Sequence, residues 1–142
     1  MNTLLIIDMQ QIFLSHRNRF IVEPIKDKIE EFKSNNYPIV FVEFYGLLFR
    51  TIRELTNITK KYNNVYTISK NKPSGAVEIK KLIEKNNLPN KLYICGLYGD
   101  DCVFNTCFDL RVAGYDVIGF NDCIGYFDES KKDLLESFYN GE

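Results

Sequence analysis

A chain of 142 residues, 45% hydrophobic and 26% charged, is long enough to bury the core of one domain, here residues 1–142. Its formal charge of −1 leaves no basic excess, which argues against nucleic acid and anionic membrane as partners. Met1 leads directly into Thr3-Leu4-Leu5-Ile6-Ile7-Asp8, with no basic leader and an apolar run too short for a signal peptide or a membrane span. That run reads as a central parallel strand, buried on both faces and ending in a carboxylate. Residues 9–22 have no clean period and read as a long loop. Glu23-Pro24 opens a helix with Ile25, Ile29 and Phe32 on its apolar face, and Asn35-Asn36 ends it. Pro38 to Phe44 is the second strand. Leu48, Ile52, Leu55 and Ile58 predict a helix running through about residue 60.

Val65 to Ser69 is a shorter third strand, followed by Lys70-Asn71-Lys72-Pro73-Ser74-Gly75. Ala76, Ile79 and Ile83 mark a helix that Asn86-Asn87 closes. Leu92 to Cys95 is strand four, and a loop broken by Gly96 and Gly99 leads to a helix that begins at Cys102. Val103, Cys107 and Leu110 line that helix, and Gly114 ends it. Tyr115 to Phe120 is strand five, Asp122 to Phe127 a loop, and Asp128 to about Tyr139 a last helix. Strands alternating with helices at this spacing predict a three-layer α/β/α sandwich on a parallel sheet.

The cysteines at 95, 102, 107 and 123 have neither CxxC spacing nor the density of a secreted disulfide scaffold, so they read as reduced thiols of a cytoplasmic protein. His16 is the only histidine, which removes the usual general base and most metal sites. No glycine-rich phosphate loop follows any strand, which leaves a nucleotide-binding or flavodoxin-like reading weakest. Ligands of open parallel sheets bind beyond the carboxyl ends of the strands, where strand order reverses. Asp8, Lys70 and Cys102 all fall at that edge. With strand order 3-2-1-4-5, Asp8 and Cys102 stand about one strand spacing apart, roughly 5 Å, and Lys70 two spacings away, roughly 10 Å. A thiol in the first turn of a helix has its thiolate stabilised, but Asp100 and Asp101 oppose that effect, so position alone does not make Cys102 reactive.

Leu5-Ile6-Ile7-Asp8-Met9-Gln10 with Phe13, Lys70 with Ser74 four residues on, and Gly96, Asp100, Cys102-Val103, Thr106, Gly114-Tyr115 and Asp122 together resemble the isochorismatase-like cysteine hydrolases, which include nicotinamidases and carbamoyl-hydrolases. The resemblance implies a Rossmann-like fold and a catalytic triad. Cys102 is then the nucleophile on a carbonyl carbon, Asp8 the general acid and base, and Lys70 the charge that holds the two in register. It also implies a cis peptide at Leu97–Tyr98, with the N–H groups of Tyr98 and Cys102 turned to the oxyanion. Phe13, Tyr45, Leu97 and Tyr98 are candidates for the substrate pocket, with ordinary packing as the competing reading of the aromatic ones.

Several positions depart from the family pattern. Metal-binding members carry an aspartate and histidines after strand two, where this chain reads Val42-Glu43-Phe44-Tyr45-Gly46-Leu47, so neither metal nor cofactor is expected. Tyr98 replaces a small residue and Gly99 a threonine, which reshapes the pocket. Ile12 and Leu110 also differ from the common pattern, and the chain is shorter than most relatives. The implied function is hydrolysis of an amide, ureido or related C–N bond of a small molecule. The alternative is a binding or regulatory module in which Tyr98 plugs the site. Homo-oligomers are usual in the family.

Overall fold

Five strands share one parallel sheet in the order β3-β2-β1-β4-β5, in a computed structural model that describes residues 1–46 and 48–142. They are β1 (Thr3–Ile7), β2 (Ile39–Phe44), β3 (Val65–Lys70), β4 (Lys91–Leu97) and β5 (Asp116–Gly125). Leu47, part of the stretch read as lacking metal ligands, lies outside the described residues. Every residue of β1 is buried, as the unbroken apolar run requires of the middle strand of a parallel sheet.

Side-chain alternation divides the core in two. Leu5 and Ile7, with Val40, Val42, Leu92 and Ile94, face α3 (Ala76–Asn86), α4 (Cys102–Val112) and the Tyr139 end of α5 (Lys132–Asn140). Leu4 and Ile6, with Ile39, Phe41, Cys95 and Leu97, face α1 (Val22–Ser34) and Leu55 of the short α2 (Arg53–Thr56). Ile25, Ile29 and Phe32 are the buried face of α1, and Ile79 and Ile83 that of α3, as their spacing predicts. Asn87 closes α3 in the left-handed conformation that its side chain tolerates better than most.

Three sequence expectations give way. The helix predicted from Leu48 to about residue 60 shrinks to Arg53–Thr56 and a 3-10 turn, Asn57–Thr59. Leu48 is 76% exposed, and only Ile52 and Leu55 of the stripe are buried. The buried Glu43 carboxylate accepts the N–H and hydroxyl of Thr51, and Thr51 bridges Gln10 as an extended pair, so the chain before residue 52 cannot coil. The loop read over residues 9–22 contains a 3-10 helix, His16–Ile21, whose short repeat leaves no amphipathic pattern to recognise. Finally, Asp122 to Gly125 continue β5. The register jumps from Ile94–Gly119 to Gly96–Ile124, and a bulge of this kind interrupts the alternation by which a strand is read.

Gly96 shows why the sheet needs a glycine at this point. Its φ is +115°, and a Cβ there would lie 2.1 Å from the Ile7 carbonyl oxygen. Strands β1 and β4 therefore approach closely just before their loops diverge, which opens the crevice at the carboxyl edge.

Candidate functional site

Asp8 follows β1 in the left-handed region, with φ of 52°. A non-glycine residue there costs about 1 kcal/mol or more, and the surroundings must hold it in place. Its N–H bonds the Val42 carbonyl at 2.9 Å, and its own carbonyl takes the N–H of Gln10 at 2.8 Å. Gln10 is itself buried, with its amide donating to the Phe44 and Phe49 carbonyls and accepting from the Phe44 N–H. The loop after β1 is thereby stitched to the end of β2.

Lys70 is the last residue of β3 and crosses behind β2 to reach Asp8. Its ammonium lies 3.2 Å from Asp8 Oδ2, and the two side chains are 0% and 4% exposed. It also donates to the Lys72 carbonyl at 3.0 Å and sits 4.4 Å from the centre of the Phe44 ring. Thr106 of α4 accepts the Gly75 N–H at 3.0 Å, fastening the loop that follows Lys70 to the helix that begins with Cys102.

Cys102 opens α4 at the floor of a cavity of about 1020 Å³, which Asp8, Phe13, Leu97 and Tyr98 also line. The preceding Leu97–Tyr98 peptide is cis, as the resemblance implies. The Tyr98 carbonyl accepts the N–H groups of Asp101 and Val103, leaving that of Cys102 between them outside the pair. Burial pushes the Cys102 thiol up to about 12, with the Asp8 carboxylate as the next cause. This outweighs any help from the helix terminus, so the resting thiol is protonated. Burial also raises the Asp8 pKa, against the opposing pull of Lys70 and of hydrogen bonds from Cys102 and Lys70. Asp8 Oδ1 is buried without a partner of ordinary geometry, so the thiol contact is loose and that oxygen is open to a proton.

The structure thus brings Asp8, Lys70 and Cys102 together and places Phe13, Leu97 and Tyr98 on one cavity wall. Tyr98 does not plug the site: its hydroxyl donates to the Phe13 carbonyl, which holds the ring along the wall. Tyr45 is not brought in. It lines a second cavity of about 440 Å³ with Ser69, Lys70, Asn71 and Glu78, and its neighbour Phe44 takes the place against Lys70 and Phe13. One residue at a strand end exchanges one face for the other, and the period-two signal of β2 could have told them apart. Asp100 supports the adjoining loop, accepting the N–H groups of Phe127 and Asp128 at 3.0 and 2.9 Å. Cys95, Cys107 and Cys123 are fully buried core thiols. Sequence reasoning missed Arg17 and Phe127, which line the cavity from stretches read as loops, where no periodicity marks a direction. Among the described residues, no group of three His, Cys, Asp or Glu side chains could hold a metal ion, and no helix is long and apolar enough to cross a membrane.

Fold and edge chemistry together define a parallel α/β protein with a buried carboxylate–ammonium pair beside a thiol at the carboxyl edge of its sheet. The family model described as "Isochorismatase domain" matches residues 2–138. The chain belongs to the isochorismatase family. A curated relative, a secreted isochorismatase effector of Phytophthora sojae, is 27% identical over 128 residues, a match spanning 87% of this chain and 61% of that protein. Among solved structures, the nicotinamidase of Staphylococcus aureus superposes with a TM-score of 0.84 at 21% identity, covering 99% of this chain and 94% of the other. The N-carbamoylsarcosine amidase of Thermoplasma acidophilum does so with a TM-score of 0.80 at 19% identity, covering 99% and 92%. Both share the fold described above.

Proposed function

We propose that the chain is a hydrolase of amide or ureido C–N bonds in small molecules, with Cys102 as nucleophile, Asp8 as general acid and base, and Lys70 as their electrostatic partner. The observation that carries this reading is the sealed Lys70–Asp8 pair at 3.2 Å, set beside a thiol that faces a substrate-sized cavity. As Cys102 Sγ attacks the carbonyl carbon, its proton passes to Asp8, and a thiol held at about 12 in the resting state needs such a base. The N–H groups of Tyr98 and Cys102 take the developing oxyanion, each such donor being worth roughly 3 kcal/mol. Collapse breaks the C–N bond, the leaving nitrogen takes the proton from Asp8, and a thioester remains on Cys102. Water then gives its proton to Asp8 and its oxygen to the acyl carbon, and the departing sulfur is reprotonated.

Lys70 neutralises Asp8 at the stages when it is ionised and fixes its distance from the thiol. Four free thiols support a reducing, cytoplasmic setting. The test is ammonia release from a panel of primary amides and ureides, with acyl-enzyme trapping by mass spectrometry. The wild-type chain is expected to turn over at least one member and to carry the acyl group on Cys102. Cys102→Ala is expected to fold normally and to lose all turnover. Substantial residual activity in that variant, or an acyl group on another residue, overturns the mechanism.

A further inference from the structure

Arg17 stands in the 3-10 turn after β1 and lines the cavity into which Cys102 opens. Its Nη2 donates to two backbone carbonyls, Tyr126 at 3.2 Å and Phe127 at 2.6 Å, just beyond the end of β5. These contacts hold the guanidinium in place without neutralising it. Among the described residues, it forms no ion pair. A guanidinium has five donors in a rigid fork, so most of its hydrogen-bonding capacity is left over.

The acids of the cavity have donors of their own. Asp8 is bound to Lys70, Asp100 takes the N–H groups of Phe127 and Asp128, and Asp128 takes the N–H and hydroxyl of Ser130. An ordered guanidinium in the same cavity as the thiol, with the Nε and Nη1 donors left over and the exposed Asp128 as its nearest acid, matches a carboxylate held by charge and by a hydrogen bond to one of those donors. Asp101 and Glu129, exposed at the rim, oppose a second negative charge on the ligand, and they outnumber Lys131, the other cation of the lining, which is exposed beside them. The rings of Tyr98 and Phe127, 5.9 Å apart, supply an apolar wall between the two ends.

We infer that Arg17 is a specificity-determining residue that binds the carboxylate of a monoanionic amide or ureide, an inference that rests on the hydrolase reading for its substrate class. Calorimetric titration of the Cys102→Ala chain tests it without requiring turnover. The probes are N-carbamoylglycine against N-carbamoylglycinamide, and 4-carbamoylbenzoate against terephthalamide. In at least one pair the carboxylate is expected to bind tenfold more tightly or better. Arg17→Met is expected to bring that ratio to about one, and Arg17→Lys to retain part of it.

No carboxylate preference in either pair, including absence of binding, overturns the inference. So does a parallel loss of both members in Arg17→Met, since a residue that merely held the Tyr126–Phe127 segment would act on both alike. The wild-type chain measured beside it separates the two proposals. Carboxylate preference in a chain that hydrolyses nothing overturns the hydrolase reading and leaves Arg17 standing. Turnover of amides without carboxylate preference does the reverse.

Discussion

Replacing Lys70 by methionine keeps a long, apolar side chain in place and removes only the ammonium 3.2 Å from Asp8 Oδ2. With Asp8 only 4% exposed at its side chain, the carboxylate left behind has no cation and little contact with water. Breaking one side of a buried pair costs roughly 3–5 kcal/mol while the remaining charge stays ionised. Asp8 can evade part of that cost by taking a proton. Burial already raises its pKa, and Lys70 is the largest influence opposing the rise, so the variant's Asp8 is raised further. The folded variant then keeps a proton that the unfolded chain releases above about pH 4. Its stability therefore falls as pH rises, by up to about 1.4 kcal/mol per unit, until the folded carboxyl itself ionises. Below about pH 4 both states are protonated and little is lost. Urea denaturation followed by circular dichroism at pH 5, 6, 7 and 8 should show the gap from wild type widening with pH. Asp8→Asn combined with Lys70→Met strands no charge and should remove that trend. A gap of constant size from pH 5 to 8 would refute the assignment of Lys70 as the counter-charge of Asp8.

Two further outcomes are expected. Iodoacetamide should label Cys102 ahead of Cys95, Cys107 and Cys123, which are sealed in the core, at a rate that climbs with pH through the alkaline range because the thiol is held at about 12. Since the Asp8 charge is one cause of that value, Asp8→Asn should move the midpoint of the rate profile to lower pH, and an unmoved or higher midpoint, read by peptide mass spectrometry, contradicts the contact. Gly96→Ala places a Cβ against the Ile7 backbone at a φ that side chains avoid, and it should lower stability by on the order of 3–5 kcal/mol. Thermal unfolding within a few degrees of wild type would show that β1 and β4 can part without cost.

Thr3 to Ile7 needed no tertiary information to be read as a central strand, because burial on both faces demands an unbroken apolar run. The apolar spacings of α1, α3 and α4 were equally legible, and so was the location of Asp8, Lys70 and Cys102 at one sheet edge, which strand-end position alone implies. Local pattern failed where a distant partner decides the backbone. Thr51 is drawn out of a helix by Glu43, and β5 is prolonged by a bulge against β4. Only the folded chain could direct Arg17 onto the carbonyls of Tyr126 and Phe127, 109 and 110 positions away. The values of the reactive groups belong to the tertiary structure for the same reason. Burial raises both Asp8 and Cys102, the Asp8 charge raises the thiol further and Lys70 opposes both, and none of these quantities exists along the sequence. Residue types at strand ends determined which chemistry was available; the desolvated crevice between β1 and β4 decided the state in which the thiol and the carboxylate wait.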